Sequence, residues 1–229
     1  MNKHFRYFKS SSDIIRFAVM MYIRFPLSLR NVEDILHERG IDISHETIRF
    51  WWNRFGPLLA KEIKKKRGFS HSNWRWHIDE VFVKVKGERH YLWRVVDHEG
   101  TVLDAVVTKK RDKKPALKVL KRLLKKYGKP TSITTDKLKS YSAALKEIGM
   151  AGKHETGQWM NNRAENSHLV FRRRERGMNK FRSMTSLQKF LGVQTQVQNH
   201  FSGERHLNKR HIFKESRSAS LVEWRSLLA

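Results

Sequence analysis

The chain of 229 residues contains no cysteine. That excludes a disulfide framework, a Cys-ligated zinc site and a cysteine nucleophile. Long apolar runs are also missing. The longest near the start, Phe17 to Ile23, is seven residues and stops at Arg24. It is too short to cross a bilayer, and no small-residue cleavage site follows it. No internal repeat and no low-complexity tract interrupts the chain. Acidic residues are scarce, at 22 Asp+Glu against 48 Lys+Arg. Apolar residues are not scarce. They make up 39% of the chain and include 13 Phe and 7 Trp, enough for a packed core, so a disordered basic tail is excluded. These features give the expectation of a soluble cytoplasmic protein with no membrane partner.

The formal net charge is +26. Such an excess asks for a polyanionic partner, and nucleic acid is the first candidate, because lysine and arginine on phosphates release counterions. The positive charge is spread along the chain rather than held in one tail. That suits extended contact with DNA or RNA. A merely soluble surface needs far less charge.

Residues 13–55 carry helical spacing. Ser10 and Asp13 have capping-box spacing before Ile14, Ile15, Phe17 and Ala18, and Pro26 ends the segment. Ser28 can cap a second helix with Val32, Ile35 and Leu36 on one face, stopped by Gly40. Ser44 can cap a third, carrying Ile48, Trp51 and Trp52. Two helices joined by a short turn after glycine fit a helix-turn-helix. His45, Glu46, Arg49 and Asn53 are then the outward residues for the major groove; the alternative is a plain three-helix bundle without groove contact. Pro57 restarts a helix into the basic run Lys61 to Arg67, and Gly68 to Asn73 reads as a linker. The expected domains are 1–69, a DNA-binding domain with a basic linker, and 70–229.

The second part changes texture. Trp74–Val85, Tyr91–Val96 and Thr101–Thr108 read as strands, with a turn at Gly87 and a hairpin turn over Asp97 to Gly100. Residues 112–127 have an apolar helical face, Ser132–Thr135 is a short strand, and helices are expected near 140–148, 162–175 and 184–201. The pattern is an α/β layer fold, a mixed sheet flanked by helices.

Among so many bases the acids are informative. Asp79 lies within an apolar strand, where a carboxylate is costly unless it is paired or binds a metal. Asp136 follows the fourth strand, and strand ends are where α/β sheets place their sites. Glu165 opens a helix. Converging, the three make a hard-oxygen site for two Mg²⁺ ions, which activate the attacking oxygen and stabilise the leaving one in phosphodiester transfer. Each also has a plain structural reading: a salt-bridged strand acid, a helix N-cap and a first-turn helix acid. Trp159, beside Asn161 and Asn162, is a candidate for stacking on a base.

The order Asp79, Asp136, Glu165 resembles that of the DDE transposases and retroviral integrases. The stretches Trp76-His77-Ile78-Asp79-Glu80, Tyr91 to Asp97, Thr135-Asp136-Lys137 and Asn161 to Asn166 look like the bacterial insertion-sequence transposases of the IS-six family. Phe171 to Arg176 and Asn199-His200-Phe201 extend the resemblance. It implies a ribonuclease H-like catalytic domain behind the all-α helix-turn-helix domain. It implies that Asp79, Asp136 and Glu165 are the catalytic, metal-binding triad, using Mg²⁺ or Mn²⁺. Arg172, seven residues after Glu165 and so on the same helix face, would lie near DNA phosphate, with Lys137 and Lys139 also engaging DNA. The implied partner is double-stranded DNA, both transposon ends and target, held by a homodimer or higher oligomer in the bacterial nucleoid. The reaction implied is cleavage at terminal inverted repeats, followed by 3′-OH strand transfer in a replicative, cointegrate-forming route. The interval from Asp136 to Glu165 is shorter than in better-known members, with Gly149 to Gly157 read as a trimmed loop. The rival reading is a non-catalytic helix-turn-helix regulator, and a second is a structural RNA-binding protein.

Overall fold

The computed structural model describes residues 4–67, 75–136, 138–157, 161–177, 181–202 and 208–228. The Gly68 to Asn73 linker, Lys137 and Trp159 lie outside the described residues. The chain divides into two compact units. One comprises residues 1–68, 176–178 and 192–229; the other comprises 69–175 and 179–191.

The first unit is helical. Helix α1 (Ser12–Arg24) is capped by Ser11, whose Oγ accepts from the Ile14 N–H at 3.3 Å. The cap is one residue later than Ser10, and the first buried side chain of the helix is Ile15. Helix α2 (Leu29–His37) carries a capping box in which Ser28 and Asn31 satisfy each other's backbone N–H groups. Gly40, at φ +72°, takes the left-handed turn after it. Helix α3 (His45–Arg67) runs unbroken through Pro57 instead of restarting there. Proline forfeits one backbone hydrogen bond, but burial of Trp52, Phe55, Leu59 and Ile63 on one face holds the helix together. Gly56 is required beside it: a Cβ there would sit 2.5 Å from the Trp52 ring. The last helix, α8 (Arg210–Ser226), belongs to this unit. Its Trp224 Nε1 donates to Arg16 O at 3.2 Å, and Arg16 Nε donates to Leu227 O at 2.7 Å. The expected helices ended at residue 201. In α8 Ile212 and Val222 are exposed, and among its described side chains only Trp224 is buried, so no apolar face marks the helix.

The second unit is a five-stranded mixed sheet in the order β3-β2-β1-β4-β5. Strands β1 (Trp76–Val85), β2 (Glu88–Asp97) and β3 (Val102–Thr108) form an antiparallel meander. Asp97 shapes its second turn, Oδ1 accepting from the Glu99 and Thr101 N–H groups at 2.9 and 2.8 Å. Helix α4 (Lys113–Tyr127) then crosses to β4 (Ile133–Thr135), which pairs parallel with residues 76–78 of β1. Helix α5 (Lys139–Glu147) and a 3₁₀ turn (Ala151–Lys153) lead to β5 (His154–Glu155), parallel to β4. The segment read as a trimmed loop therefore supplies the fifth strand, too short for any alternation to mark it. Helix α6 (Asn162–Gly177) follows, then α7 (Met184–His200), whose first part to Leu191 belongs to this unit. Gln188 caps the outer strand, accepting from Val107 N at 2.9 Å and donating to Ala105 O at 2.8 Å. That blunts an otherwise open sheet edge.

Strand alternation divides β1 between two cores. Trp76 and Ile78 join Trp93, Val95, Leu120, Leu123, Tyr141 and Leu145 under α4 and α5. Val83 and Val85 join Leu92, Val107, Phe171 and Leu187 under α6 and α7. No helix among the described residues is long and apolar enough to cross a membrane.

Candidate active site

Asp79 and Asp136 come together because β1 and β4 run parallel, with Ile78 opposite Thr135. Each acid follows its member of that pair. Carboxylate oxygens of Asp79, Glu80 and Asp136 all lie within 4.8 Å of one another. Such an all-oxygen donor set suits a hard divalent cation.

Glu80 faces the α4/α5 side and is 7% exposed. The Tyr141 hydroxyl donates to its Oε2 and Arg111 Nε donates to its Oε1. Burial pushes the Glu80 carboxyl up to about 7, and the nearby Asp136 charge adds to this; Tyr141 and Arg111 offset only part. Arg111 also reaches Asp136, its NH2 group 3.4 Å from Oδ2. Asp136 Oδ1 accepts from Leu138 N–H at 3.1 Å, which fixes the chain entering α5. Burial raises the Asp136 pKa; the Leu138 bond opposes this, and the Asp79 charge adds to it. A divalent cation held by Asp79 and Asp136 would relieve that repulsion. Beside them, His154 Nε2 lies 2.7 Å from Thr135 Oγ1, and burial lowers the His154 pKa.

Asp79 faces the other side of the sheet. His168 on α6, itself 3% exposed, places Nε2 3.3 Å from Asp79 Oδ2. The same helix is tied down at its start by Asn161, whose Nδ2 donates to Ile78 O at 2.9 Å. Arg94, opposite Asp79 in the β1–β2 ladder and fully buried, donates through Nε to Ser167 Oγ at 3.0 Å. Burial lowers its pKa to about 10, so it stays charged at neutral pH. Side chains from α6 and the sheet thus interlock around Asp79.

Glu165 stands in the first turn of α6, one turn before His168, and is exposed. It lies outside the group of acids within 4.8 Å, where Glu80 is the third member. Lys139 opens α5 and is exposed. Arg172 forms an ion pair with Glu175 at 2.6 Å and lies over the Phe82 ring, 5.2 Å from its centroid.

In the helical unit, Glu46, Arg49 and Asn53 are exposed on α3, with Arg49 paired to Glu46 at 2.6 Å. His45 is turned toward α2, its Nδ1 2.7 Å from Glu33 Oε2.

Arg111, Tyr141, Asn161 and His168 escaped the sequence reading as parts of the site. The signal for His168 was present in its spacing of three from Glu165; Arg111 and Tyr141 carry no local signal.

Residues 73–204 match the family described as DDE domain. The chain is 37% identical over 170 residues to the transposase for insertion sequence-like element IS431mec of Staphylococcus aureus. The match covers 72% of this chain and 75% of that relative. It is 36% identical, with the same coverage, to the Staphylococcus aureus transposase for insertion sequence element IS257 in transposon Tn4003. Among solved structures, the HTLV-2 integrase catalytic core domain in complex with magnesium is 23% identical. That match spans 44% of this chain and 68% of the other, at a TM-score of 0.38.

Proposed function

The chain belongs to the IS-six family of DDE transposases, and on that premise we propose the finer chemistry of its reaction. It binds the terminal inverted repeats of an insertion sequence, exposes a 3′-OH at each end and joins it to target DNA, forming a cointegrate. The observation that carries this reading is the convergence of Asp79 and Asp136 from two parallel strands.

Asp79, Asp136 and Glu165 are the proposed catalytic carboxylates and would hold Mg²⁺ or Mn²⁺. When bound, the metal supplies activation of the attacking oxygen and stabilisation of the leaving one. Glu80 is engaged by Tyr141 and Arg111 and serves as a positioning acid. Arg111 holds Asp136, and His168 steadies Asp79, in the manner of outer partners that orient metal ligands. Glu165 enters from α6, whose placement depends on Asn161 and His168. Lys137, Lys139 and Arg172 bind DNA phosphates near the reacting bond. In the helical unit, α2 and α3 form the helix-turn-helix, with His45, Glu46, Arg49 and Asn53 at the groove. Two ends must be held together, so the active form is a homodimer or larger, working on DNA in the nucleoid.

The test uses the full chain with a DNA fragment carrying the element's two ends, a plasmid target, and Mg²⁺ or Mn²⁺. Asp79→Asn and Asp136→Asn should bind the ends normally. Both should lose end joining by on the order of 10³-fold. Metal-dependent joining that survives in Asp79→Asn would overturn the reading and favour a non-catalytic regulator.

A further inference from the structure

The exposed side of the β1–β2 hairpin has a composition that the proposed function does not use. Alternation puts Glu80, Phe82 and Lys84 on one side of β1. Glu80 is covered by Tyr141, whereas Phe82 is 52% exposed and Lys84 is exposed. Strand β4 pairs with β1 only through Ile78, so β4 does not flank β1 at Phe82. Two guanidinium groups from different elements lie over the Phe82 ring. Arg89 of β2 is 5.5 Å from the centroid and Arg172 of α6 is 5.2 Å. Lys86, at the hairpin turn, is also exposed. The exposed acid here is Glu88, while Glu175 is already paired with Arg172.

A single exposed phenylalanine is ordinary. Two arginines arranged on it within a cationic surface are not. Aromatic rings and guanidinium planes are the two protein surfaces on which unpaired bases stack, and lysines beside them track the phosphates. Phe82 stands three residues after Asp79 on β1, a rise of about 10 Å along the strand, or about three stacked nucleotides.

We propose that Phe82, with Arg89 and Arg172, is a stacking platform for an unpaired base of the DNA strand beside the reacting phosphodiester. Such a platform holds the strand open next to the bond being cleaved. The inference rests on the catalytic reading for its location, but its test does not depend on catalysis.

The probe is a fluorescent 16-nucleotide oligo-dT, compared with a duplex of the same length, binding the full chain in EDTA over a range of salt. Phe82→Ala should weaken oligo-dT binding about tenfold or more, with the salt slope unchanged because no charge is lost. Duplex binding should change less than about twofold, and Phe82→Trp should retain wild-type affinity. Arg89→Ala should weaken both probes and make the slope shallower by about one. Unaltered oligo-dT binding by Phe82→Ala, or equal weakening of both probes, would overturn the proposal. So would a Phe82→Trp protein that behaves like the alanine variant, or a loss that tracks a lower melting temperature or altered oligomeric mass. If Asp79→Asn keeps joining DNA while Phe82→Ala still loses oligo-dT, the catalytic reading fails and the platform stands.

Discussion

The two faces of the sheet bury different things. Under α4 and α5 lies an apolar core of Trp76, Ile78, Trp93, Leu120 and Leu145, with polar chemistry confined to its end at Glu80. Under α6 the buried groups around Asp79 are Arg94, Ser167 and His168. Apolar packing tolerates small adjustments of its neighbours, whereas hydrogen bonds fix direction as well as distance. Beside Asp79, α6 and its approach are tied to the sheet by the Arg94–Ser167 and Asn161–Ile78 hydrogen bonds, whereas the α4/α5 side at the same level is held by apolar area.

That contrast can be broken by substitution on either side. Trp93→Ala removes a fully buried indole from the α4/α5 face and its hydrogen bond to Thr108 Oγ1 at 2.7 Å. It should cost about 3–5 kcal/mol in denaturant unfolding, while whatever folded protein remains keeps its metal affinity.

A smaller effect concerns pH. Glu80 ionises at the ordinary 4.5 when unfolded but only at about 7 when folded. The unfolded state releases its proton first, so the wild type loses stability as pH rises from about 4.5 to about 7, by on the order of 3 kcal/mol. The raised Asp136 pKa acts in the same direction. Glu80→Gln should flatten thermal melts across that window and exceed the wild type above pH 7. A wild type that gains on Glu80→Gln through that window would contradict the burial argument.

Asn161→Ala is the mildest change and the sharpest comparison with Trp93→Ala. It removes the bond to Ile78 O and should cost only about 1–2 kcal/mol. Strand-transfer rate should nevertheless fall about tenfold, because the α6 start is no longer fixed beside Asp79. A large stability loss with normal activity would reverse the roles assigned to the two faces.

The chain order displayed much of this fold. The meander, the β4 strand and helices α4 to α6 follow from alternation, turn residues and helical spacing. Asp79 and Asp136 stood out because acids in or just after apolar strands need a reason. What stayed hidden was set by tertiary packing. Glu80 is adjacent to Asp79, and only the presence of Tyr141 and Arg111 on its side of the sheet separates the two acids' environments. The two-residue β5 has no period to detect. Pro57 looked like a boundary because its local cost was visible and the burial that overrides it was not.

The most direct measurement is Mn²⁺ binding to the full chain, followed by electron paramagnetic resonance with Mg²⁺ as competitor. Asp79→Asn and Asp136→Asn should each lower affinity about tenfold or more, while Glu80→Gln should stay within about threefold of the wild type. Binding untouched by both aspartate substitutions, or abolished by Glu80→Gln, would contradict the assignment of Asp79 and Asp136 as the metal-holding pair.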